Sequence, residues 1–336
     1  MPAEWEPHQA VWFSWPHPEG ISFPRCYERV LPALGALVRA AAEFEPVRVN
    51  VRDAAEEVEA RRWIGGGGSV EFFHHPTNEP WCRDHGPIFL LNDQTGEVVV
   101  ADFAFNAWGG KYEGTAHDQK IPALVAQALG LRCLAHPMVL EGGSIEVNGS
   151  GSLLTTRSCL LHPNRNPSMT QPQIEDVLRH WLGVRNILWL DQGIEGDDTD
   201  GHIDDLARFV GPSSIVTEVE ENENDPNHAI LQENLKALAN FRDENGATLD
   251  ICALPMPARR LEYEGDRLPA SYANFLILNR GVLLPVFGDA KDDEAGALVE
   301  SLFPGRKIVP VDCREIIIGL GSIHCLSQQQ PAAPRS

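Results

Sequence analysis

The sequence predicts a mixed α/β fold in one continuous domain, and three observations carry that prediction. Short β-rich runs alternate with amphipathic helical stretches along the chain. No Pro- or Ser-rich linker divides it. Five short segments that pass from polar to apolar recur at intervals of roughly 50 to 70 residues. They are WCRDHGPIFLL, LEGGSIEVNG, DGHIDDLARFV, SYANFLILNR and GSIHCLSQQ. A ring of related strand–strand–helix–strand modules would give this recurrence if its strands pointed polar side chains at a common centre. Coincidence in any α/β chain would give it too, because a polar strand end is ordinary. Both readings stand at this point.

The elements follow in order. RVLPALGALVRAAAEF (29–44) reads as a helix and PVRVNVRD (46–53) as the strand after it. IPALVAQALG (121–130) and QPQIEDVLRHWLG (171–183) read as helices that end at a capping glycine. NHAILQENLKALANFRD (227–243) is a further helix, followed by ATLDICALP as a strand. GGGGS (65–69), HPNRNP (162–167) and EENENDPN (220–227) carry turn residues. The domain is expected to span 1–331, with 332–336 a disordered tail.

Composition narrows the function. The 336 residues are 43% hydrophobic and 22% charged, as in a globular protein with a sizeable core. No run of about 18 apolar residues occurs, and the N-terminus lacks a basic region ahead of an apolar one. A cytoplasmic location is the expectation. A net charge of −21 disfavours nucleic acid and anionic membrane, which need clustered Lys and Arg, and favours a small cation. The seven cysteines have no C-x-x-C pair, so free thiols are expected rather than a disulfide framework or a zinc ribbon.

DDTDGHIDDLARF (197–209) packs five aspartates and His202 into nine positions. An EF-hand register fails, because Gly201 at the sixth position leaves Gly196 first and Ala207 last. A two-metal hydrolase or a solvated turn ahead of a strand remain as readings. If 202–204 starts a strand, period 2 puts His202 and Asp204 on one face. The same rule puts His324 and Cys325 on opposite faces, which makes His202 the better base for a reactive Cys325 and leaves His324 structural. WCRDHGP adds Asp84, and LEGGS adds Glu141 beside glycines that leave open space. Two carboxylates facing a centre match a guanidinium, whose forked donors pair with them. A thiolate attacking the guanidinium carbon needs an acid for the departing ammonia and then a base for water, and one histidine can serve both. No metal or other cofactor is required.

MPAEWEPHQAVWFSWPH, WCRDHGP, FNAWGGKY, LEGGSI, LLTTRSCLLHPNRNP, DTDGHIDDLARFV, SYANFLILN and GSIHCLSQQQP together resemble the agmatine deiminases. These group with the Porphyromonas-type peptidylarginine deiminases in the guanidino-group-modifying superfamily. The resemblance runs from Met1 to Pro331. It implies a five-bladed α/β propeller (pentein), in keeping with the recurrence above. It implies that Cys325 is the nucleophile, His202 the general acid and base, and Glu141 the group that orients or charges His202. Asp84 and Asp204 are then the guanidinium ligands, and Trp81 lines the channel. The implied reaction converts agmatine and water to N-carbamoylputrescine and ammonia, a step towards putrescine. GLGSIHC departs from the more usual GGGNIHC, a change expected to leave the thiol in place. A peptidylarginine or free-arginine deiminase is the nearest alternative, then a metal-dependent hydrolase or a non-catalytic polyamine binder. A homo-oligomer is left open.

Overall fold

The computed structural model of the chain describes residues 1–66 and 68–333. Its strands form five sheets built to one pattern and a separate two-stranded ribbon. In each of the five, an antiparallel pair is followed by a helix that returns the chain to a parallel third strand, the crossover that parallel pairing demands.

The first sheet joins the chain ends. β1 (His8–Ser14) pairs parallel with β2 (Val47–Val51) across the helix Tyr27–Ala41, and β3 (Val70–His74) follows β2 across the helix Ala54–Ile64. The second holds β4 (Ile88–Leu91), β5 (Val98–Ala104), the helix Ile121–Leu129 and β6 (Arg132–Val139). The third holds β7 (Glu146–Val147), β8 (Ser152–Thr156), the helix Gln171–Leu182 and β9 (Asn186–Leu190). The fourth holds β10 (Ala207–Gly211), β11 (Ser214–Val219), the helix Pro226–Asn240 and β12 (Asp250–Pro255). After the ribbon of β13 (Glu262–Tyr263) and β14 (Asp266–Arg267) comes the fifth: β15 (Leu276–Ile277), β16 (Gly281–Val286), the helix Asp292–Leu302 and β17 (Lys307–Asp312). β18 (Ser327–Pro331) then lies antiparallel to β1 and completes the first unit.

The helices expected from periodicity are present within a few residues of their expected bounds. Two of them stop three residues early, the helix of 29–44 at Ala41 and that of 227–243 at Asn240. Ala54–Ile64 and Asp292–Leu302 were not expected, because their apolar faces are thin: few of their residues are buried. Among the described residues no helix is long and apolar enough to cross a membrane. All seven cysteines are free. Ala332 donates its N–H to the Pro7 carbonyl at 2.8 Å, and 334–336 of the expected tail lie outside the described residues.

Candidate active site

Each of the five recurring segments carries a buried polar residue, and these side chains cluster. Cys325 sits in a turn that precedes β18, with its Sγ accepting from Asn274 Nδ2 at 3.1 Å and lying 3.7 Å from Asp204 Oδ2. Asp204 lies in a single 3-10 turn, Ile203–Asp205, with His202 extended just ahead of it. This corrects the strand expected at 202–204. The Asp197 carboxylate and the Thr199 hydroxyl accept the His202 N–H at 3.0 and 3.1 Å, and these Asx-type bonds wind the segment into a turn. Period-2 reasoning therefore placed His202 and Asp204 together for the wrong reason. Nor is the cluster a solvated turn, because Asp204 and Asp205 are buried.

The turn at 323–326 likewise removes the basis for putting His324 on a face away from Cys325. His324 Nδ1 is 2.7 Å from Asp204 Oδ2, the oxygen that also lies nearest the thiol. His324 is a neighbour of the site, two contacts from Cys325 through Asp204.

Asp84 is carried by one helical turn, Cys82–His85, which Arg83 ties to the Cys325 carbonyl through its backbone N–H at 3.1 Å. Asp84 Oδ2 accepts from Trp108 Nε1 at 2.8 Å and Oδ1 accepts the Gly143 N–H at 3.1 Å. His202 Nδ1 stands 3.6 Å from Asp84 Oδ1. Gly143 makes this approach possible, since a Cβ there would fall 2.6 Å from His202 Nδ1 and 2.8 Å from Asp84 Oδ1. The open space read from LEGGS is thus filled by the histidine and the carboxylate.

Glu141 is buried, and its direct partner is Arg165 Nε of NRNP at 2.8 Å. Arg165 reaches on to Asp200 and to the Thr199 carbonyl, both in the turn ahead of His202. One donor atom each from Glu141, Cys159 and His202 lies within 4.8 Å of the others, as do those of Asp204, Asp205 and Cys325. These are the two groups that could hold a metal ion among the described residues. In the first, Arg165 already engages the carboxylate; in the second, His324 does.

The electrostatics are those of charges removed from water. Burial would push His202 down, but Asp84, helped by Cys159 and Asp204, outweighs it and holds the imidazole well above its ordinary value. Burial also drives Asp84 up, a rise that His202 moderates. Asp204 is held below the usual range despite burial, because His324 bonds and faces it. Burial, with Asp204 and Asp197 beside it, raises Asp205 well above its ordinary value. Burial raises Cys325 far above an ordinary thiol, and Asp204, Asp205 and Asp84 add to that.

A cavity of about 240 Å³ opens onto Cys325 and Asp84. Trp81 lines it, as expected, and its Nε1 donates to Ser22 Oγ at 2.8 Å. The ring packs so closely on Gly321 that a Cβ there would lie 2.7 Å from it. Trp108, Tyr112 and Tyr263 add aromatic walls, and Asp198, Glu264, Asp266 and Arg25 add charge. His202, Asp204 and Glu141 are fully buried behind the cavity wall.

Sequence reasoning missed several of these groups. Asn274 of SYANF bridges Asp205 Oδ1 at 2.9 Å, the thiol and the His324 backbone N–H, and an asparagine in an apolar segment gives no periodic signal. Glu218 holds that segment by accepting from Ser271 Oγ and the Ala273 N–H at 2.9 and 2.8 Å, and burial lifts its carboxyl to about 8. Trp108 and Arg165 lay inside quoted motifs without an assigned role.

The comparisons with known proteins agree with this geometry. A model of the Porphyromonas-type peptidyl-arginine deiminase family matches residues 1–331. The agmatine deiminase of Pseudomonas aeruginosa (strain LESB58) is 38% identical, with 99% of this chain and 95% of that protein covered. Among solved structures, the agmatine deiminase of Enterococcus faecalis superposes with a TM-score of 0.93 at 33% identity, covering 99% of this chain and 96% of that one. The C. jejuni agmatine deiminase with substrate bound gives 0.91 at 32% identity, covering 100% and 96%. With a family match over nearly its whole length, the chain belongs to the Porphyromonas-type peptidyl-arginine deiminases.

Proposed function

We propose that this protein is an agmatine deiminase, a hydrolase of the C–N bond in a linear amidine, working through a covalent intermediate on Cys325. The observation that carries the choice of substrate is the charge of the cavity. Its lining has four carboxylates, Asp84, Asp198, Glu264 and Asp266, against one guanidinium, Arg25, which is itself paired with Glu264. A dication such as agmatine gains from both ends there, whereas the α-carboxylate of arginine meets like charge.

Asp84 and Asp204 grip the guanidinium, whose forked donors suit two carboxylates. Among the described residues Asp204 Oδ1 has no hydrogen-bond partner, which leaves it to accept from the guanidinium. The cation offsets the carboxylates that raise Cys325, so substrate binding itself favours the thiolate. The thiolate adds to the guanidinium carbon, and the His202 imidazolium gives its proton to the nitrogen that leaves as ammonia. This leaves an amidino-thioether on Cys325 and a neutral His202. His202 then takes a proton from water, whose oxygen adds to the same carbon; the new hydroxyl gives its remaining proton to solvent as the C–S bond breaks, which releases N-carbamoylputrescine and the thiolate. Glu141, through Arg165 and the Asp200 turn, keeps His202 in place; Trp81 walls the channel. We read the five like-built sheets as blades of a propeller around this site, within one catalytic domain spanning 1–331. Five similar units, with the N- and C-terminal strands sharing one of them, support that reading.

Two tests separate the alternatives. A panel of agmatine, free arginine and a blocked arginine peptide, assayed for ammonia, is expected to give the highest kcat/KM with agmatine; a preference for the peptide would overturn the substrate assignment. Activity is expected to survive exhaustive chelation, and its loss, restored by added metal, would point to the metal hydrolase.

The pH profile follows from the two raised groups. Cys325 must lose its proton, so rate rises with pH on the acid side. His202 must keep its proton, so rate falls as pH passes its raised value. We expect a bell for kcat/KM with its maximum above neutral pH, reporting values that belong to the coupled pair. A flat profile from pH 6 to 10 would count against this pairing.

A further inference from the structure

The deimination steps leave His324 without a task, although it is buried next to the nucleophile. Its Nδ1 faces Asp204 Oδ2 at 2.7 Å, and its Nε2 faces Glu4 Oε2 at the same distance. Glu4 comes from the far end of the chain and is itself buried. Its Oε1 accepts the Ile277 N–H at 2.7 Å, and its Oε2 also accepts from Arg208 Nη2 at 2.8 Å, with Arg83 Nη2 at 3.5 Å. Arg208 in turn donates to Glu146 at 3.0 Å.

An ionised carboxylate only accepts, so a ring held between two of them must donate from both nitrogens. Charge balance agrees. An imidazolium at His324 stands between two buried carboxylates, Glu4 and Asp204, and leaves neither without a cation beside it. An unmatched buried charge is costly. Burial favours the neutral acids, yet Arg208 and His324 outweigh it at Glu4, and His324 outweighs it at Asp204, so both are held below the usual range.

We propose that Glu4 is a positioning residue for the deimination. It fixes His324 as an imidazolium, and His324 fixes Asp204 with one oxygen occupied and the other left for the guanidinium. The N-terminal segment thus sets the grip on substrate from 200 positions away in sequence. Other contacts hold that segment without Glu4: the Met1 amino group bonds the Leu182 carbonyl at 2.6 Å, and Arg306 bonds the Trp5 carbonyl at 2.7 Å. The inference rests on Asp204 being a guanidinium ligand of a deiminase.

Glu4→Gln tests it, because Gln keeps the shape and the oxygen for Ile277 but removes the charge that His324 faces. The variant should raise KM for agmatine at least tenfold, with kcat changed less, and Glu4→Asp should restore part of the loss. Kd for agmatine, measured in Cys325→Ala and in Cys325→Ala/Glu4→Gln, should weaken in parallel. Nitrogen NMR of histidine-labelled protein, with His324 assigned from His324→Gln, should show both ring nitrogens protonated in the wild type and one released in Glu4→Gln. Kinetic constants and Kd unchanged by Glu4→Gln, or a wild-type His324 ring with one bare nitrogen, would overturn the proposal. A variant that only loses thermal stability, with KM unaltered, overturns it as well. If Glu4→Gln does not fold, Glu4→Asp and the wild-type spectrum still decide. Wild-type protein that releases no ammonia from agmatine refutes the deiminase reading instead, and the spectrum then tests the Glu4–His324 contact by itself.

Discussion

Cys325→Ala is expected to abolish ammonia release from agmatine, a fall of at least about 10⁴-fold by comparison with other covalent catalysts stripped of their nucleophile. Agmatine should still bind, because the variant leaves Asp84, Asp204 and the cavity walls in place. The loss should be that large because nothing else at the site can form the bond. Cys26 also lines the cavity, just ahead of the helix Tyr27–Ala41. No contact ties it to His202 or Asp204, as one ties Cys325 to Asp204. Cys159 is nearer the histidine, but it does not line the cavity. Ammonia assays on the purified variant check the rate, and calorimetry checks the binding. Near-wild-type turnover in Cys325→Ala would sink the covalent mechanism. Mass spectrometry of wild-type protein quenched during turnover should find the amidino adduct on the peptide containing Cys325.

Asp84→Asn should cost about 2–5 kcal/mol in kcat/KM for agmatine, or roughly 30- to 5000-fold, the usual range for truncating one partner of a buried, hydrogen-bonded charge pair. Two effects act together. The guanidinium loses one of its anions, and His202 loses the carboxylate that contributes most to keeping its proton. With Asp84 neutralised, burial is opposed only by the weaker contributions of Cys159 and Asp204, so the imidazole gives up its proton at lower pH. The sign is therefore fixed: the basic limb of the kcat/KM profile moves to lower pH in Asp84→Asn than in wild type. The Asn amide oxygen can keep one of the two bonds that Asp84 accepts, from Trp108 Nε1 or from the Gly143 N–H, which holds the side chain near its place. Profiles of the two proteins measured in one buffer series decide it, and an unmoved basic limb would mean that Asp84 does not set the charge of His202.

Much of this architecture was legible in the sequence, and the reason is local. The helices at 121–130 and 171–183 announce themselves by apolar spacing and a terminal glycine, and Gly130 and Gly183 do adopt left-handed caps. The site candidates could be picked out because chemistry demands rare combinations: Asp84, Glu141, His202, Asp204 and Cys325 each stand in a short polar segment between apolar ones. What failed was geometry inferred from an assumed strand. His202–Asp204 and His324–Cys325 lie in turns, where the two-residue period does not hold, so the reason for setting His324 on a face away from Cys325 falls away.

The sequence by itself determined the α/β character, and it offered the recurring units and a candidate set of groups to attack and hold a guanidinium, because those depend on spacing and residue type within single segments. Only the tertiary structure decided that Glu141 is engaged by Arg165, that Asn274 donates to the thiol, and that Glu4 closes a chain of contacts through His324 to Asp204. Each of those joins residues from distant segments. Such contacts leave no periodic trace in either segment, because a buried charge is matched by whichever partner the fold brings within hydrogen-bonding distance.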